Sequence, residues 1–360
     1  MVRELDEAYA DLCAIPRMTP PRLRRLVERF ESPQVALGAT VNDLSSVEGL
    51  DERLVNDIRS YRRSERTGAA IARACELGAY TVDFRDERYP SQLAELKGMP
   101  AVLFVRGELG DEDRLAVAVV GMRRPSHYGQ EVAGKLGHDL ARHGVTVVSG
   151  MARGVDTCAH RGALAGGGRT LAVLGCGIDT CYPPENRKLA EEIAGQGAVM
   201  TEFGPGTEPL AMNFPKRNRV VSGLSRAIIA VEAAERSGVL NTAAWAADQG
   251  RDVYAVPGRV TDERSAGTNR LLKEGARPLT AVEDVLRDLG LALHYEERAK
   301  LKLEDDEKPV LDALTGDPQH VDELCQSLGI PMSVLLGVLM RLEVKGVARQ
   351  LPGKFFVRQS

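Results

Sequence analysis

Apolar positions divide the chain into three stretches of different period. Residues 1 to about 75 repeat at helical spacing. LDEAYADLCAI is amphipathic, and PRLRRLVERF follows Thr19-Pro20-Pro21, with Thr19 at an N-cap position. VNDLSSVEGLDERLVNDIRSYRR predicts two further helices with Gly49 in the turn between them. From about Ala79 the period changes. AYTVDF and AVLFVRG are strand-like and flank a connector containing Tyr89-Pro90. LAVAVVG is all apolar up to Gly121 and fits a strand buried on both faces. Helices predicted at Tyr128–His143, Val155–Ala165 and Glu185–Ala194, a loop and helix at Phe214–Leu224, and a helix at Leu240–Gln249 then alternate with strands GVTVVSG, TLAVLG, AVMTEF, AIIAVE and DVYAVPG. Repeated βα units predict a doubly wound parallel sheet with right-handed crossovers.

The third stretch follows KLKLEDDEK, which with its flanks (Ala299 to Lys308) reads as a linker. PVLDALTG predicts a helix, Val321–Leu328 and Pro331–Lys345 a helix–turn–helix, and GVARQLPGKFFVR a hairpin turning at Pro352-Gly353. Three helices and a hairpin describe a winged helix with a basic wing: Lys345, Arg349, Lys354 and Arg358. The second helix of its helix–turn–helix, MSVLLGVLMRLE, is too apolar to suit reading of base edges. Weak duplex-DNA binding or protein contact is the expected role. The modules expected are therefore residues 1–75, 76–297 and 298–360.

Composition narrows the picture in three ways. A net charge of −4 over 360 residues excludes a protein that coats nucleic acid with its whole surface, so any such binding needs a local patch. The six cysteines form no C-x-x-C pair, and neither they nor the six histidines show a metal-binding signature; reduced thiols, no metal and no cofactor are expected. No run of about 18 apolar residues predicts a membrane span. MVRELDEAYADL is too acidic for a signal peptide, so a cytoplasmic location is expected.

Candidate chemistry gathers where the predicted strands end. Ligands of such sheets bind beyond the C-terminal strand ends. Those ends are GMRRPS, SGMARGVD, GCGID, TEFG, EAAERSG and Pro257-Gly258. Glycines let an anion approach the backbone, and helix N-termini add partial positive charge. Arg123, Arg124, Arg153, Lys216, Arg217 and Arg219 converge on this edge, which suits several phosphates. The stretch FPKRNRVVSGLS sets three cations beside Phe214 ahead of a mostly apolar run. Gly175-Cys176-Gly177 lacks the third glycine of a dinucleotide fingerprint, Thr180 standing there instead, and no P-loop occurs. Asp156 and Asp179 read as residues that order loops. His160, one helical turn after Asp156, reads as packing, since no nucleophile stands at a recognisable elbow.

Two family resemblances follow. The N-terminal helices resemble helix-hairpin-helix or sterile-alpha-motif-like modules. Their hairpins lack the glycines that bring backbone amides to a phosphate, only Gly49 being present, so an interaction or spacer role is expected. The motifs VVGMRRPSHYG, SGMARGVDTCAH, TLAVLGCGIDTCYP, FPKRNRVVSGLS, VEAAERSGVLNTAAWAADQGRDVYAVPG and GTNRLLKEGA, in this order over roughly residues 85–285, resemble the DNA-processing protein A family, also called Smf. Met122 departs from the pattern, which has a small hydroxyl residue there. The resemblance implies an extended Rossmann-like sheet and a non-enzymatic, cytosolic protein that binds single-stranded DNA. It implies protection of incoming strands in natural transformation and loading of the recombinase RecA past single-strand-binding protein. It also implies a homodimer through the Rossmann-like domain. By the same resemblance Arg123 and Ser126 hold phosphates, and Gly150, Arg153 and Gly154 form a cradle. Lys216, Arg217, Asn218 and Arg219 line the pocket, and Phe214 stacks a base.

Two other functions compete. One is a nucleotide-binding or nucleotide-hydrolysing protein of this fold. Related phosphoribohydrolases carry a PGGxGTxxE segment; here Ser237 to Thr242 lacks the glycine pair, and Trp245 stands where the glutamate would be. The other is a duplex-DNA regulator acting through the winged helix.

Overall fold

A computed structural model describes residues 4–291, 304–315, 318–345, 347–351 and 353–358. The expected boundary at 297/298, the linker residues Ala299–Leu303 and the turn residue Pro352 lie outside the described residues. The chain forms two compact units, Met1–Ala292 and Leu293–Ser360.

The first unit is built on a nine-stranded sheet. Its strands are β1 (Tyr80–Asp83), β2 (Val102–Gly107), β3 (Ala116–Val120), β4 (Thr146–Ser149), β5 (Thr170–Val173), β6 (Ala198–Thr201), β7 (Ala227–Ala230), β8 (Asp252–Ala255) and β9 (Arg277–Pro278). Their order is β1-β2-β6-β5-β4-β3-β7-β8-β9. From β6 to β9 every pairing is parallel. The chain steps outward from β3 to β6, then returns to place β7 on the other side of β3. The switch point therefore lies between β3 and β7, where the crevice of such a sheet opens. Strands β3 to β7 are buried along their whole length, as their apolar runs require. The outer strands β1 and β2 run antiparallel to their neighbours. Apolar runs do not encode pairing direction, and only the one-turn helix Ser91–Ala94 lies between β1 and β2, too short for a parallel crossover.

The N-terminal helices pack on this sheet. Leu12, Leu26 and Leu54 share one apolar cluster with Val102, Phe104, Ala172 and Leu174. Three of the four arginines of the helix Pro20–Phe30 meet carboxylates: Arg22 with Asp51 at 3.1 Å, Arg24 with Glu28 at 3.4 Å and Arg25 with Glu48 at 3.8 Å. This face is thus charge-compensated. Thr19 holds the N-cap position of that helix, but its side chain makes no capping bond.

The second unit has helices Glu307–Ala313, Val321–Leu328 and Met332–Val344, and a three-stranded sheet of β10 (Gln319–His320), β11 (Ala348–Leu351) and β12 (Phe355–Arg358) in the order β10-β12-β11. It is a winged helix. Glu307 and Lys308, read as linker, already belong to the first of these helices. Glu307 is fully buried and pairs with Arg341 at 3.2 Å and with Lys345, so Lys345 is not a free wing cation. Among the described residues, no single helix is long and apolar enough to cross a membrane.

Candidate nucleic-acid interface

The basic stretch opens a helix, Asn213–Gly223, that carries all of FPKRNR, with Pro215 tolerated in its first turn. At helical spacing Phe214, Arg217, Asn218 and Val221 share one face. That face lines a cavity of about 550 Å³ beyond the ends of β3 and β7. Lys216 and Arg219 stand on another face and line a separate groove with Glu202 and Leu23.

Arg217 forms the cavity floor. It is 5 % exposed and donates from Nη1 to the Val173 carbonyl at 2.7 Å. Its Nε has no hydrogen-bond partner among the described residues. A Cβ at position 150 would overlap the guanidinium, so Gly150 is required by close approach. Asp156 Oδ2 accepts from the Gly150 amide at 3.1 Å and the Ala152 amide at 3.3 Å, which fixes the loop beneath Arg217. Burial pulls the Arg217 pKa down, Asp156 opposes that and Arg123 adds to it. Burial raises the Asp156 pKa, against the pull of Arg217 and the two amides.

Aromatic and cationic groups form the walls. The exposed Arg123 guanidinium lies 5.0 Å from the Phe214 ring centroid, and Tyr182 meets the same ring at 5.7 Å with a 44° tilt. Phe214 also packs on Gly175 at the end of β5. The opposite wall carries Arg236, Ser237 and Gly238, where the helix Gly238–Asp248 starts. Cations, a tilted aromatic pair and a helix N-terminus around one crevice suit the chemistry of phosphate joined to a planar base.

The DNA recombination-mediator protein A family matches residues 80–290, and the DprA winged helix domain matches residues 295–354. The chain belongs to this family. It is 39 % identical over 279 residues to protein Smf of Escherichia coli, covering 75 % of each chain. It is 42 % identical over 203 residues to DNA processing protein DprA of Streptococcus pneumoniae, covering 56 % of this chain and 72 % of that one. The solved DNA processing protein A of S. pneumoniae superposes with a TM-score of 0.67 at 33 % identity, covering 79 % of this chain and 98 % of that one. That of Helicobacter pylori, solved for its single-stranded DNA binding mode, superposes with a TM-score of 0.53 at 32 % identity, covering 59 % and 95 %.

In this family member the predicted site residues separate into groups. Arg123, Gly150, Phe214, Arg217 and Asn218 come together in the cavity. Ser126 is engaged elsewhere. Its hydroxyl donates to Glu232 at 2.5 Å and caps the helix His127–Arg142 by accepting from the Gly129 amide at 3.0 Å. Ser126→Ala is expected to cost about 1 kcal/mol of stability and to change oligonucleotide affinity by less than about twofold, read by urea unfolding and fluorescence anisotropy. Arg153 pairs with Glu185 outside the cavity wall. Gly154, at φ 79°, supports the Arg123 loop, because a Cβ there would press on the Met122 carbonyl and Pro125. Arg219 is held in a nearly buried ion pair with Glu202. Tyr182 and Arg236 were not among the expected residues. Both occupy strand-end loops or motifs visible in the sequence, TCYP and EAAERSG, without a pattern that singles them out.

His160 and Asp179 serve the architecture of these loops. The Thr170 hydroxyl donates to the Val147 carbonyl at 2.8 Å, so His160 Nδ1 donates to Thr170 across 2.7 Å. Asp179 accepts from the Gly206 amide at 2.7 Å and from Arg73 at 2.9 Å, tying two loops to the N-terminal helices. Burial, with a smaller push from Arg217, lowers the His160 pKa from 6.5 to about 3. A depressed base contributes stability that is complete above its unfolded pKa and is lost as pH falls through the folded one. The unfolding free energy is expected to fall below pH 6.5 by up to about 1.4 kcal/mol per pH unit from this group, and His160→Gln to remove that slope. Urea unfolding between about pH 4 and pH 7 reads it.

Proposed function

We propose that this chain binds single-stranded DNA in the cavity between the ends of β3 and β7, without base specificity and without turnover. The supporting observation is the convergence of Arg123, Arg217 and Arg236 with the Phe214–Tyr182 pair around one crevice. Arginines take phosphates, and an aromatic face takes any base at about 1–3 kcal/mol per stacked base. A binder rather than a hydrolase is supported by Asp156, the carboxylate lining the cavity, whose Oδ2 already accepts two backbone amides. Kinship to the H. pylori protein solved for its single-stranded DNA binding mode supports the same ligand.

The wider role in this proposal is that of a cytoplasmic mediator of recombination. It protects incoming strands, works as a homodimer through the Rossmann-like domain, and helps RecA replace single-strand-binding protein. The winged helix adds a protein contact or weak duplex-DNA contact. Its helix Met332–Val344 exposes Val334 and Met340, while Arg349 and Lys354 of the wing are exposed. Binding of dT oligomers is expected to weaken with salt by about 0.7 log units per log unit of salt for each phosphate neutralised. An affinity series across salt reads that slope, and a slope near zero would rule out the phosphate contacts.

A further inference from the structure

Resting on the reading of this cavity as the strand-binding site, we infer that it is a receptor for one nucleotide bearing a terminal phosphate monoester. Such a nucleotide is either free or the phosphorylated end of a strand. The first observation is charge. Among the residues lining the cavity, Arg123, Arg217 and Arg236 are cationic and Asp156 is anionic, which leaves two positive charges. A phosphodiester in a strand offers one negative charge, whereas a phosphate monoester carries about −1.5 to −2 near pH 7. The second observation is the Arg217 Nε. It is buried and lacks a partner among the described residues, so the guanidinium that lines the cavity floor is not fully satisfied by the protein's own acceptors. The third is form. Arg217 and Asp156 close the floor at 5 % and 6 % exposure, so a ligand meets them only from the open side of the cavity. A volume of about 550 Å³ lies within the range of small-molecule sites. The start of the helix Gly238–Asp248 adds partial positive charge at the wall, and Phe214 supplies an aromatic ring in the same lining.

The test is calorimetry of the full chain with dTMP, thymidine and inorganic phosphate. Anisotropy of dT oligomers ending in a 5′-phosphate or a 5′-hydroxyl accompanies it. The expected result is saturable dTMP binding at least about tenfold tighter than thymidine, with displacement of a bound oligomer. An oligomer preference of about tenfold for the phosphorylated end assigns the site to strand ends. Binding of dTMP without that preference assigns it to free nucleotides. Arg236→Gln, on the exposed rim, is expected to weaken dTMP about tenfold; an unchanged affinity contradicts the placement. Oligomers that bind with no end preference, together with no dTMP binding, overturn the inference and leave the strand site standing. Failure of every oligomer to bind removes the strand reading itself.

Discussion

Arg219→Ala is expected to destabilise the first unit by about 3–5 kcal/mol while leaving oligonucleotide affinity within about twofold of the parent. The guanidinium and its partner Glu202 are 11 % and 8 % exposed. Burial already pushes the Glu202 pKa up, with Arg219 and then Lys216 opposing it. One Glu202 oxygen has no hydrogen-bond partner among the described residues. Removing the arginine strands a buried carboxylate, which is the costly case for an ion pair. Replacing both residues, as Arg219→Met with Glu202→Leu, is expected to restore most of the loss, since no uncompensated charge remains. Urea unfolding and oligomer anisotropy on the same preparations separate stability from binding. A large affinity loss in a stably folded Arg219 variant would move the strand into the groove lined by Lys216.

Arg217→Lys is expected to weaken dT oligomer binding at least about tenfold and to lower stability by about 1–3 kcal/mol. Arg217 bonds the Val173 carbonyl, lies against Gly150 and faces Asp156, all with one planar group. A lysine keeps the charge but not the planar fork, and its flexible stem cannot hold the Val173 contact and a ligand phosphate together. Arg217→Ala would combine loss of the proposed phosphate donor with a buried Asp156 left without its cation, so its affinity would report folding as much as binding. Anisotropy at a denaturant-free midpoint concentration, with thermal unfolding alongside, distinguishes the lysine variant from a misfolded one.

Much of this was legible from residue order. LAVAVVG and its successors are buried strands because continuous apolar runs bounded by glycine fit a sheet covered on both faces. The ligand edge followed from that topology, and the family motifs placed Arg123, Gly150, Phe214 and Arg217 on it. What stayed hidden depends on partners distant in sequence. FPKRNR reads as one cationic patch, yet its helix sends Arg217 into the cavity and turns Arg219 toward Glu202. The acceptors that occupy Ser126 and Arg153 are Glu232 and Glu185, 106 and 32 residues away. The antiparallel direction of β2 depends on its pairing with β6 and with β1, which no local period reveals.

A single strand is expected to be held at Arg123 and Phe214. The most direct test is the dT oligomer affinity of Arg123→Gln/Phe214→Leu, which keeps apolar volume at Phe214 while removing one cation and one stacking face. A loss of about 100-fold or more is predicted, with a cooperative unfolding transition close to the parent's. A folded double variant that binds the oligomer as tightly as the parent would contradict the claim.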